Sequence, residues 1–117
     1  MARFEILHNP RCTKSRQTLA RLTDAGIAPV VVEYLKDPPT AKRLQEIVAL
    51  LGLDDPRALM RTKEPVYTEL GLAKVTDPKK LVAAMVAHPV LIERPIVIKD
   101  GKKAVIGRPP ENVDALI

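Results

Sequence analysis

The sequence has one cysteine, no tryptophan and only three aromatic residues, Phe4, Tyr34 and Tyr67. A single cysteine excludes an intramolecular disulfide, so any thiol that reacts with it must come from outside the chain. The scarcity of aromatics leaves the core to Leu, Ile, Val and Ala, and removes the stacking platforms on which single-stranded nucleic acids are held. No apolar run approaches the roughly 20 residues that cross a bilayer. The first seven residues carry Arg3 and Glu5, with Pro10 close behind, a pattern unlike a secretory leader. The expectation is a cytoplasmic protein that binds no membrane. No internal repeat, low-complexity tract or Gly/Ser-rich linker divides the chain, so residues 1–117 are expected to form one domain.

What is present is ordinary in proportion: 46% hydrophobic and 28% charged residues, enough for one real core. The formal charge is +5, from 19 basic and 14 acidic residues. The basic residues are scattered and no nucleic-acid motif appears, so no nucleic-acid partner is expected. A positive field serves equally well to attract a small oxyanion.

Eleven prolines punctuate short elements. Phe4 to Leu7 reads as a strand ending at the His8-Asn9-Pro10 turn. A helix follows from about Cys12 to Ala25, with Leu19 and Leu22 inward and Gly26 as its stop. Val30 to Tyr34 is a β-branched run that reads as a strand buried on both faces, completing a βαβ unit. Thr40 caps a helix with Leu44, Ile47, Val48 and Leu51 at i, i+3, i+4, i+7. Asp55-Pro56 starts a short helix that Pro65 interrupts, and Asp77-Pro78 starts another reaching about His88, with Leu81, Met85 and His88 inward. Two runs, Pro95 to Lys99 and Lys102 to Gly107, flank the hairpin signal Asp100-Gly101. Pro109-Pro110 precedes a closing helical turn from about Glu111 to Leu116. The order βαβ, helical insert over about 40–88, then ββα is that of an α/β thioredoxin-like fold with an inserted helical subdomain.

Cys12 falls where the first strand's turn enters the first helix. Unpaired N–H groups and the helix dipole favour a thiolate there. Arg11, Lys14, Arg16 and His8 are near enough to add positive charge or a hydrogen bond, lowering the thiol pKa. The same geometry holds an anion, and the planar fork of arginine suits an oxyanion better than lysine does. Arg61, Arg94 and Arg108 stand out: Arg61 follows the Asp55-Pro56 helix, Arg94 directly precedes Pro95, and Arg108 directly precedes Pro109. A cis Arg94–Pro95 bond facing the cysteine is expected of a thioredoxin-like architecture. Arg3, Arg21, Arg43 and Arg57 read as solvated surface charges.

The segment His8-Asn9-Pro10-Arg11-Cys12-Thr13-Lys14-Ser15-Arg16 closely resembles the signature of the glutaredoxin-dependent arsenate reductases. The resemblance continues in Tyr34-Leu35-Lys36-Asp37-Pro38-Pro39, Leu59-Met60-Arg61 and Glu69-Leu70-Gly71-Leu72. It closes with His88 to Val97 and Ile106-Gly107-Arg108-Pro109, covering nearly the whole chain in order. It implies that Cys12 attacks arsenate, that His8 and Ser15 assist the thiol, and that Arg61, Arg94 and Arg108 bind the oxyanion. It further implies glutathione as co-substrate, glutaredoxin as partner, and no bound cofactor or metal. Three other readings stay open: a monothiol reductase of another substrate, suggested by Cys12-Thr13-Lys14-Ser15; a redox-sensing regulator that binds RNA polymerase; and a structural module with an inert thiol.

Overall fold

The computed structural model describes residues 2–117. Strand β1 (Phe4–Leu7), helix α1 (Thr13–Asp24) and strand β2 (Val30–Val32) make the βαβ unit, with Glu5 opposite Val30 and Leu7 opposite Val32 in parallel register. Strand β3 (Ile96–Lys99) runs antiparallel to β1, and β4 (Lys103–Ile106) antiparallel to β3. The sheet order is therefore β2-β1-β3-β4, and the fold is thioredoxin-like. Asp100 (φ 56°) and Gly101 (φ 65°) both occupy the left-handed region, the requirement of a type I′ turn. Asp100 also exchanges two 2.7 Å hydrogen bonds with the backbone of Arg3, which anchors the turn to the chain entering β1.

The chain divides into two compact units: one runs to Asp37 and resumes over Arg94–Ile117, and the other is Pro38–Glu93. The first unit carries the sheet. Its core joins Phe4, Ile6, Leu22, Val97, Val113 and Leu116, with Leu19, Ile27 and Val105 packed against them. Burying one such side chain is worth roughly 1.5–3 kcal/mol. The closing turn is a 3₁₀ helix, Pro110–Leu116, and its three-residue repeat places Val113 and Leu116 on one buried face. Arg21 pairs with Asp114 and ties that turn to α1.

Two expectations for this unit need correction. β2 is not buried on both faces: Val30 and Val31 are 44% and 45% exposed, and the strand stops at Val32. The physical reason is its place at the sheet edge, where β1 is its partner. The inner face of α1 is Ser15, Thr18 and Leu22, leaving Leu19 half-buried.

The second unit is helical. Thr40 caps α2 (Ala41–Leu50) by accepting from the Arg43 N–H at 3.1 Å, and Leu44, Ile47 and Val48 are buried. Leu51 lies past the last turn and is only half-buried. Asp55 caps a 3₁₀ turn, Pro56–Leu59, and Asp77 caps α4 (Pro78–Ala87), whose Leu81, Val82 and Met85 face inward. His88 is the half-buried C-cap of α4, not part of its inner face. Pro65 does not interrupt a helix; it opens α3 (Pro65–Glu69) at a first-turn position where its missing N–H costs nothing.

Arg57 is also not a surface charge. Its Nη1 donates to the Tyr67 hydroxyl at 2.5 Å and to the Leu72 carbonyl at 2.9 Å, and its Nη2 donates to the Val75 carbonyl. The guanidinium thus pins the 3₁₀ turn to α3 and the segment beyond it. Among the described residues no helix is long and apolar enough to cross a membrane.

Candidate active site

Cys12 is the N-cap residue of α1, extended in backbone (φ −92°, ψ 122°) and partly exposed. The turn that presents it is braced from within. Asn9 accepts the Cys12 N–H at its carbonyl and the Arg11 N–H at its side chain, both at 3.0 Å. Arg16 donates to the Pro10 carbonyl at 2.8 Å and to the Thr13 hydroxyl at 3.2 Å.

The sulfur makes no capping hydrogen bond of ordinary geometry, yet its pKa is held below that of a free thiol. Partial burial is the largest influence and pushes the thiol up. It is outweighed by the Ser15 N–H, by the charge and hydrogen bond of Arg94, and by the Lys14 N–H. Arg108 adds a contact from Nη1 to the Cys12 Sγ at 3.6 Å, within reach for a sulfur acceptor, and to the Arg94 carbonyl at 3.4 Å. The activating charge therefore comes from Arg94, remote in sequence, rather than from the adjacent Arg11 and Arg16, and Arg108 stands in contact with the sulfur beside it.

His8 and Ser15 form one pair. The His8 Nδ1 and the Ser15 Oγ are 2.6 Å apart, and the same oxygen accepts the Asn9 N–H at 3.0 Å. Burial lowers the His8 pKa, Glu33 raises it and Arg16 lowers it, leaving the ring below its ordinary value. His8 is not among the groups that lower the Cys12 pKa. Its contribution is to fix Ser15, whose N–H faces the thiol.

The two arginines in the sheet unit are set by their backbones. Arg94–Pro95 is cis, as the element order predicts, and Arg108–Pro109 is cis as well, which nothing in the sequence signalled. The Gly107 N–H donates to the Pro95 carbonyl at 2.9 Å, joining the two segments. Asn112 donates from Nδ2 to the carbonyls of Ile106 and Arg108 at 3.1 and 3.2 Å. Arg61 belongs to the helical unit. A bridge between Met60 and Ile92 fixes its backbone, and its N–H donates to the Leu91 carbonyl at 2.7 Å. Its guanidinium bonds Glu64 at 3.2 Å and Glu93 at 2.9 Å. Burial opposes its charge, and the two carboxylates more than restore it.

A model of the ArsC family matches residues 7–116. The chain belongs to the ArsC family. Across its full length it is 48% identical to the full length of an arsenate reductase of Neisseria meningitidis. An arsenate reductase of Haemophilus influenzae is 49% identical over 92% of this chain and 93% of its own. Among solved structures, the arsenate reductase of Vibrio cholerae superposes with a TM-score of 0.93 at 48% identity, covering 97% of both chains. This ArsC chain thus joins a braced, partly exposed thiol to two arginines on the sulfur.

Sequence reasoning passed over Thr18, Gly107 and Asn112. One signal was available: Ser15 and Thr18 stand at i and i+3 with Leu22 at i+7, so polar residues occupy an inner helical face.

Proposed function

We propose that the protein is an arsenate reductase acting through Cys12. The observation that carries this reading is the Arg108 Nη1 lying 3.6 Å from the Cys12 Sγ. A cation on the sulfur both favours the thiolate and offsets the repulsion an anionic substrate would meet there. The naming of full-length relatives as arsenate reductases supports the choice of anion.

In the proposed sequence the Cys12 thiolate attacks arsenic, an S–As bond forms, and one arsenate oxygen leaves as water after protonation. Arg94 and Arg108 bind the oxyanion and its adduct, while the Arg61 guanidinium is engaged by Glu64 and Glu93 within the helical unit. His8 and Ser15 keep the sulfur's surroundings in place. Glutathione attacks the Cys12 sulfur of the adduct. The S–As electron pair passes to arsenic, which falls from the pentavalent to the trivalent state and leaves as arsenite. Cys12 remains as a mixed disulfide with glutathione, and glutaredoxin takes up that glutathione by thiol exchange. A lone cysteine fits this dependence on outside thiols, and a reducing cytoplasm would supply them.

Arsenite release assayed with glutathione and glutaredoxin, omitting each in turn, tests the reading. Omitting glutathione should abolish turnover, and omitting glutaredoxin should limit release to about one equivalent per Cys12, one being the stoichiometry of a single thiol without exchange. Cys12→Ser should release none while keeping the circular dichroism of the native protein. Release by that variant would refute the role of Cys12.

A further inference from the structure

Three segments meet at the sulfur in the sheet unit: the first turn of α1, the Arg94–Pro95 peptide and the Gly107–Arg108 peptide. One buried node joins them. Thr18 is fully buried, and its Oγ1 lies 2.9 Å from the Lys14 carbonyl and 3.1 Å from the Gly107 carbonyl, sharing its single proton between them. Lys14 is in the turn that caps the thiol. The Gly107 carbonyl belongs to the peptide that leads into Arg108.

Nothing larger than glycine fits at 107 without movement. A Cβ there would stand 2.6 Å from the Thr18 Oγ1, 2.8 Å from its Cγ2 and 2.9 Å from the Pro95 Cγ. Gly107 is not in the left-handed region, so backbone conformation does not call for glycine. Close approach does. A valine at 18 would fill the same space but leave the buried Gly107 carbonyl and the part-buried Lys14 carbonyl facing a methyl group.

We propose that Thr18, seated against Gly107, is a positioning residue that sets the spacing between the Cys12 sulfur and the Arg108 guanidinium. Thr18 touches neither the sulfur nor the guanidinium; it holds the backbone on each side. The inference rests on the proposed role of Arg108 as the cation at the thiol.

The test uses two alkylating reagents that differ by one charge, iodoacetate and iodoacetamide. Both react with the same thiolate, so the ratio of their rates reads the cation held at Cys12 and cancels the thiolate fraction. Thr18→Val should lower the iodoacetate-to-iodoacetamide ratio by about three- to tenfold, the range of one net hydrogen bond. Thr18→Ser, which keeps the hydroxyl, should retain most of it. In an Arg108→Gln background Thr18→Val should change the ratio no further. An unchanged ratio in Thr18→Val, or an equal fall with and without Arg108, would overturn the proposal.

If Thr18→Val melts below the assay temperature, Thr18→Ala removes the hydroxyl without pressing a methyl on two carbonyls, and the same outcomes apply. Arsenite release measured alongside separates the two readings. A ratio that falls as stated in a protein that releases no arsenite keeps the spacer and sinks the arsenate reaction. An unchanged ratio in a protein that does release arsenite sinks the spacer alone.

Discussion

The two units bury different kinds of side chain. In the helical unit the inner positions of α2 and α4 are aliphatic or Met: Leu44, Ile47, Val48, Leu81, Val82 and Met85. In the sheet unit α1 buries Ser15 and Thr18 beside Leu22, and the turn before it buries His8 and Asn9. Buried polar groups are costly unless paired, and each of these has a partner. The helical unit spends its interior on cohesion, and the sheet unit gives part of its interior to holding one sulfur and two arginines in register.

That contrast can be broken by experiment, beginning with the largest effect. Met85→Ala should cost about 2–5 kcal/mol, the usual range for emptying a fully buried aliphatic site, read by urea unfolding. Cys12 in the folded variant should keep its iodoacetamide reactivity. A matching loss of reactivity would mean that cohesion and chemistry are not divided between the units. Arg57→Gln should cost about 1.5–3 kcal/mol, the value of hydrogen bonds to a charged group, with an unchanged rate of arsenite release below the melting point. A fall in that rate would give Arg57 a part in the site.

In the sheet unit the signs reverse. Arg108→Lys keeps the charge and loses the fork, so kcat/KM for arsenate should fall about tenfold or more, from roughly 1.5–3 kcal/mol of charge-assisted bonding. Stability should change little, since the side chain is exposed. A large loss of stability with intact turnover would reverse the assignment.

The smallest effect concerns pH. The Cys12 pKa is lower in the folded protein than in the unfolded chain. The stabilisation this brings is fully present above the unfolded thiol value and is lost as pH falls through the folded one. Unfolding free energies of the native protein and of Cys12→Ser, measured by urea across that window, should diverge as pH rises. Parallel curves would show a thiol that folding leaves unperturbed.

Much of this was legible in the sequence, for reasons that differ between elements. Caps and turns announce themselves locally: Thr40, Asp55 and Asp77 each accept the expected backbone N–H, and Asp100-Gly101 adopts the turn its two residues allow. Helical periodicity located Leu44, Ile47 and Val48 in α2 and Leu81 and Met85 in α4, but it ran past the last turns to Leu51 and His88 and passed over Val82. The exposure of β2 could not be read from Val30-Val31-Val32, because a β-branched run forms a strand at an edge as well as in the middle, and only strand order decides its burial. Arg57 looked like other arginines because its partners, Tyr67 and the Leu72 and Val75 carbonyls, are 10 to 18 residues away. At the site, the positions of Cys12, Arg94 and Arg108 could be singled out from their neighbours in the chain. The Thr18–Gly107 contact joins residues 89 apart, and no local pattern encodes it.

Because the chain contains one sulfur that can be oxidised to a disulfide, Cys12, its redox history is written in one place. A glutathione mixed disulfide, an arsenic adduct and the free thiol would each give a distinct intact mass. Every such mass refers to the same atom, with no second cysteine to share or obscure it. Two copies can still join through their Cys12 sulfurs, so an oxidised preparation has two visible endpoints, capped monomer or linked pair. Which endpoint dominates reports how readily a small thiol reaches that partly exposed N-cap compared with a whole protein.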